Sequence, residues 1–85
     1  MHLVVLTPEE EIFNGEVSKV KVPGENGQFE VLKNHAAIVS SLTAGVISWL
    51  TEKGESISLQ IEQGFIEVIN NEVALLVRGV KKSEA

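Results

Sequence analysis

Val22-Pro23-Gly24-Glu25-Asn26-Gly27-Gln28-Phe29-Glu30-Val31-Leu32-Lys33-Asn34-His35-Ala36-Ala37-Ile38-Val39-Ser40-Ser41-Leu42 is the stretch on which the fold turns. It carries two turn signals, Pro23-Gly24 and Asn26-Gly27, then a short apolar alternation, then a lone histidine opening another apolar stretch. Glycine reaches positive φ without steric cost, proline presets its own φ, and asparagine tolerates the left-handed region. The expectation is strand, double turn, strand, turn and strand within about twenty residues.

Outward from this stretch, alternation dominates. Ile57, Leu59 and Ile61 point one way while Ser56, Ser58, Gln60 and Glu62 point the other, which describes a half-buried strand. Val73, Leu75 and Val77 repeat the pattern, and Ile47 and Trp49 take the inner side of Val46 to Leu50. Turn residues fall between the runs at Pro8, Asn14-Gly15, Gly45, Lys53-Gly54, Gly64 and Asn70-Asn71. Glu52 to Glu55 reads as one hairpin turn and Asn70-Asn71 as another. In Val17-Ser18-Lys19-Val20-Lys21-Val22 the apolar spacing is three and then two, so a β-bulge near Ser18-Lys19 is expected to return Val17 to the inner face. Asn34 to Leu42, β-branched and serine-rich, reads as strand. Short strands at this spacing predict an all-β fold, a small β-sandwich of about eight to ten strands. The expected domain is 1–80, with a polar, frayed tail at 81–85.

Composition excludes several functions. Eighty-five residues at 44% hydrophobic make one folded domain with a small core. The formal charge is −5, with no basic stripe, which argues against nucleic acid as a partner. No apolar run approaches the roughly twenty residues needed to span a bilayer, so direct membrane insertion is not expected. The opening Met1 to Glu11 lacks a basic region and turns acidic at once, unlike a signal or transit peptide. Cysteine is absent, which removes disulfide and thiol chemistry.

All twelve acids are glutamates, and tyrosine is absent as well. Without aspartate there is no EF-hand loop, no Walker-B-type magnesium ligand and no triad that needs Asp. His35 draws attention, yet Ser40 and Ser41 have no Asp to orient the ring, and His2 with scattered glutamates makes a poor metal set. The plain reading is a turn histidine that caps backbone groups, and the other is an interface contact. Pro23 to Gly27 lacks the Gly-Lys-Ser/Thr ending of a phosphate loop and precedes a strand, so no nucleotide site or cofactor is expected. Glu9-Glu10-Glu11 reads as a solvated loop. Trp49 and Phe65 are expected in the core. Around Ile66, Val68 and Leu76 both strand faces are apolar in two neighbouring strands, which predicts an outer face covered by a partner.

The opening stretch also resembles the V-P-G-x-x-G-x-F-x-V-L-x-x-H-A segment of the epsilon subunit of F-type ATP synthases, whose amino-terminal domain is a β-sandwich. Leu3 to Glu9 is similar to that family's opening strand and turn, Ile12 to Val17 to its F-S-G-x-V element, and Gly64 to Val73 to its G-F-x-E-V-x-x-N-x-V ending. The resemblance covers residues 3 to 78. It implies a non-catalytic central-stalk subunit that couples gamma to the c-ring during ion-driven ATP synthesis, monomeric within the complex. By the same resemblance Thr7, His35 and Ser40 lie toward gamma, joined by the candidate face of Ile66, Val68 and Leu76. Gly24, Glu25, Asn26, Gly27, Gln28 and Glu30 lie toward the c-ring loops.

Some positions depart from the family pattern. Gln28 stands where an acid is frequent and Glu30 where glycine is, while Lys33-Asn34 replaces Pro-Gly before the histidine. Many members continue into two carboxy-terminal helices that bind ATP or block rotation, and nothing here resembles them. The expectation is therefore a short bacterial form without those roles, at the cytoplasmic face of the inner membrane. The alternative is a stand-alone β-sandwich module for peptide or carbohydrate, for which one Trp, three Phe and no Tyr or Asp supply few tools.

Overall fold

The computed structural model describes residues 1–82. Its elements are strands: β1 His2–Leu6, β2 Glu11–Gly24, β3 Gly27–Leu32, β4 Ile38–Leu42, β5 Gly45–Thr51, β6 Ser56–Ile61, β7 Gln63–Ile69, β8 Glu72–Arg78 and β9 Lys81–Lys82. No helix among the described residues is long and apolar enough to cross a membrane.

One hydrogen-bonded sheet folds on itself into two layers, and β2 belongs to both. Its first half pairs antiparallel with β1, from His2 opposite Glu16 to Leu6 opposite Glu11. Its second half pairs with β5 on one side and β3 on the other. The bend sits where the β2–β5 register slips between Val17 and Lys19, the bulge that the apolar spacing predicts. The extra residue lets both Val17 and Val20 reach the core. The first layer continues as β1, β8, β7 and β4, with β1 and β8 parallel, and the second as β5, β6 and β9.

The core between the layers is mostly β-branched. Leu3, Val5, Ile66, Val68, Val73, Leu75 and Val77 come from the first layer, and Val20, Val22, Val31, Ile47, Trp49, Leu59 and Ile61 from the second. Branched side chains fit the pleated surface and lose little rotamer freedom there. Each contributes roughly 1.5–3 kcal/mol by leaving water. The Trp49 ring packs tilted against Phe13, centroids 5.1 Å apart.

Three expectations change. Pro23-Gly24 is not a turn, and neither is Asn14-Gly15; both lie inside β2. Proline suits an extended backbone near a strand end, and the Pro23 carbonyl accepts the Thr43 N–H at 2.9 Å. Gly24 serves close packing, because a Cβ there would meet the Phe29 ring at 2.8 Å. The reversal is made by Glu25-Asn26 alone, with Gly27 at φ 120°. The second change is in β4, which starts at Ile38, after a turn in which Asn34 takes φ 68°. The third is the tail: Lys81 and Lys82 pair with Gln60 and Leu59 of β6, while 83–85 lie outside the described residues.

The two named hairpins form as expected. Gly54 takes φ 90° in the β5–β6 turn, and Asn70 and Asn71 take φ 50° and 62° between β7 and β8.

Candidate partner-binding surface

Strand pairing assigns every side chain of the first layer to a face. In β7, Ile66 opposes Leu75 and Val68 opposes Val73, all four sealed in the core. Phe65 opposes Leu76 on the outer face, where the two are 54% and 50% exposed. The outward assignment of Ile66 and Val68 is thereby overturned, as is the inward assignment of Phe65. Glu67 shares the parity of Phe65 and Ile69 and is the sequence signal that this side faces out, although two large apolar residues flank it; the partners across the ladder confirm that side. Leu76 stays outward, as expected.

The outer face then reads as rows across the strands. One runs Ser41, Phe65, Leu76, Leu6, and the next Val39, Glu67, Ala74, Val4. The third holds Ile69, Glu72, His2 and Glu16. Val39 is 71% exposed and Ile69 53%. Apolar groups of this size side by side on one face mark a contact surface. The other layer's outer face is mixed: Glu30, Lys21, Ser48 and Ser58 form one polar row, Lys19 lies between Leu32 and Leu50 in the next, and Leu32 and Val46 are exposed there.

The apolar face opens at one end into a cleft of about 500 Å³, lined among others by Leu6, Pro8, Glu25, Phe65, Leu76 and Arg78. Thr7 also lines it, but its hydroxyl is engaged locally, accepting the Glu10 N–H at 3.0 Å and the Glu9 N–H at 3.2 Å. That closes the turn between β1 and β2. Ser40 opposes Ile66 in the register, so it faces the core side of β4, half-buried, and its neighbour Ser41 is the outward residue.

His35 stands at the opposite end. Its Nδ1–H donates to the Ala36 carbonyl at 2.7 Å, and its backbone N–H donates to the Leu32 carbonyl at 3.1 Å. Beside it the Asn34 N–H donates to Asn71 Oδ1 at 2.6 Å, tying the β3–β4 turn to the β7–β8 turn. The ring is held by backbone, with neither a carboxylate nor a nucleophile hydrogen-bonded to it. Among the described residues no three His, Cys, Asp or Glu gather into a metal set.

Of the turn residues, Glu25, Asn26, Gly27 and Gln28 are exposed at the cleft end, whereas Gly24 is buried. Glu30 is exposed on the outer face of the second layer, 3.9 Å from the Lys19 ammonium. Outward Val39, Leu6 and Val4 went unsingled in the sequence, although the doubly apolar β7 and β8 did point to this layer.

Residues 1–83 match the family model of the ATP synthase delta/epsilon chain beta-sandwich domain. The chain belongs to that family. Similarity to individual delta/epsilon relatives agrees. The chain is 40% identical over 79 residues to the ATP synthase epsilon chain of Chlorobium limicola, covering 92% of this chain and 89% of that one. It is 37% identical over 79 residues to the ATP synthase epsilon chain of Campylobacter concisus, spanning 93% of this chain but 61% of the relative's length. Among solved structures, the delta/epsilon domain fold recurs in a chain of the Euglena gracilis mitochondrial ATP synthase OSCP/F1/c-ring structure. There the TM-score is 0.86 at 23% identity, over 94% of this chain and 51% of that one. A chain of the Tetrahymena thermophila mitochondrial ATP synthase central stalk/c-ring gives 0.79 at 16% identity, over 96% and 66%. At those identities the likeness is one of fold.

Proposed function

We propose that this domain is a non-catalytic coupling piece of the central stalk of an F-type ATP synthase, docked through the outer face of β4, β7, β8 and β1 on gamma. The observation that carries this reading is the largely apolar face of Val39, Phe65, Ile69, Leu76, Leu6 and Val4, with Glu67 among them, on a domain of the delta/epsilon family. A stable interface buries roughly 1,200 Å² or more, with apolar groups at its centre and polar groups at its rim. At the border of this patch Glu72 and Arg78 suit a rim, while Glu67, between Phe65 and Ile69 and opposite Val39, is a carboxylate within the patch that needs a polar partner across the interface.

The cleft end, with exposed Glu25, Asn26, Gly27 and Gln28, is the part we assign to the c-ring loops. Gly24 contributes shape there, and Glu30 lies to one side. His35, at the far end of the sandwich, touches gamma only if the covered face runs the full length of the strands. The complex sits at the cytoplasmic face of a bacterial membrane, and this domain performs no chemistry of its own.

Capture of purified gamma by the immobilised chain tests the reading. Wild type should retain gamma, and Leu76→Glu should reduce affinity at least tenfold by desolvating a carboxylate in the interface (about 1.4 kcal/mol or more). Unchanged capture by Leu76→Glu together with Phe65→Ser would place gamma on another face.

A further inference from the structure

His2 opens β1 on the outer face, and both of its ring nitrogens meet oxygen. Nδ1 lies 2.7 Å from Glu16 Oε2, and Nε2 lies 2.7 Å from Asn14 Oδ1. An ionised carboxylate only accepts, so Nδ1 carries a hydrogen. The Asn14 amide is oriented from its other side, where Nδ2 donates to Glu11 Oε1 at 3.2 Å. Turned over, it would set its carbonyl oxygen against that carboxylate. Asn14 Oδ1 therefore faces the ring as an acceptor, and Nε2 carries a hydrogen as well. A ring with two N–H groups is the imidazolium ion.

The charges facing this ring favour the same form. Glu16 and Glu11 come from β2, Glu72 from β8 directly opposite in the ladder, and Glu67 from β7 lines the same shallow depression. On the cationic side, the Met1 amino group lies 3.8 Å from Glu16 Oε1, and Lys33 lines a depression with both. The hydrogen bond to Glu16 raises the His2 pKa above 6.5, the bond to Asn14 adds to it, desolvation opposes, and the charges of Glu16 and Glu72 contribute further.

We propose that protonated His2 is a pH-controlled clasp that fastens the start of β1 to β2, so that this end of the β1–β2 ladder tightens as pH falls through the neutral range. The clasp reinforces two backbone bonds, Val17 N–H to the Met1 carbonyl at 2.8 Å and His2 N–H to the Asn71 carbonyl at 2.9 Å. Because the folded state holds the proton more tightly than the unfolded chain, its contribution is complete below about pH 6.5 and fades as pH rises through the folded value.

Nitrogen-15 NMR of the full chain tests it, with His2→Gln identifying the resonances. Both ring nitrogens should be protonated at pH 6.5, with a titration midpoint above that of a free histidine. Glu16→Gln should lower the midpoint and Asn14→Asp should raise it. Protection of the Val17 amide from exchange should fall between pH 6 and pH 9 in wild type and stay level in His2→Gln. A single neutral tautomer at pH 6.5, which would mean a turned Asn14 amide, overturns the proposal. So does a midpoint that neither variant moves, or Val17 protection with the same pH dependence in both chains.

Discussion

Phe65 and Leu76 face each other across the β7–β8 ladder with both side chains about half exposed, while Ile66 and Leu75, one step along, are fully sealed. The two pairs separate surface from core within adjacent residues of the same strands. Charge introduced on the two sides should therefore have very unequal costs. Leu76→Glu should change unfolding free energy by about 1 kcal/mol or less. Val68→Glu, at 2% exposure, should cost several kcal/mol or prevent folding by burying an unpaired carboxylate. Urea unfolding followed by the fluorescence of Trp49 measures both, and equal costs would sink the face assignment.

Gly64 is the second residue of β7, where a Cβ would stand 2.7 Å from the Leu76 carbonyl oxygen and 3.0 Å from Val77 Cγ1. The obstacle is partly backbone of the neighbouring strand, which cannot swing aside. Gly64→Ala should destabilise by about 1–3 kcal/mol. A thermal midpoint equal to wild type would show that β7 and β8 can part without cost.

Asn71 combines a left-handed backbone, φ 62°, with two side-chain bonds to Asn34. Asn71→Gly keeps the backbone freedom and loses the bonds, for about 1–2 kcal/mol. Asn71→Ala loses both and should cost about 1 kcal/mol more. If the two variants unfold at the same denaturant concentration, the backbone contributes nothing at this turn.

His35 donates to the backbone of its own turn, which a neutral amide can imitate. His35→Asn should lose about 1 kcal/mol or less. Turnover of an assembled enzyme should fall less than tenfold, whereas removing an acid–base residue typically costs on the order of a hundredfold or more. A collapse of turnover with intact assembly would mean that this chain does chemistry.

The class of the fold was legible because local signals agreed with one another. Alternation in Ile57–Ile61 and Val73–Val77, the Asn70-Asn71 pair at its turn, and the irregular spacing at Val17–Val20 each have a single good backbone solution. Pro23-Gly24 misled for a definite reason. The same dipeptide suits a turn or a strand end, and the Phe29 ring against Gly24 decides for the strand. The candidate surface was half legible: Leu76 could be placed by the alternation of Val73, Leu75 and Val77, while for Phe65 the one outward signal was Glu67 on its own side of the strand, set against the bulk of Phe65 and Ile69.

By itself, then, the sequence determined that this chain is all strand, where most of its hairpins turn, and that its first-layer strands carry apolar residues on both sides. Those properties depend on residues close in the chain, through backbone freedom and side-chain period. Only the tertiary structure decided which side of β7 is core, that β2 serves both layers, and that His2, Asn14 and Glu16 meet. Each of those rests on pairing between strands distant in sequence, where a shift of one residue reverses every side chain, and no local preference carries that information.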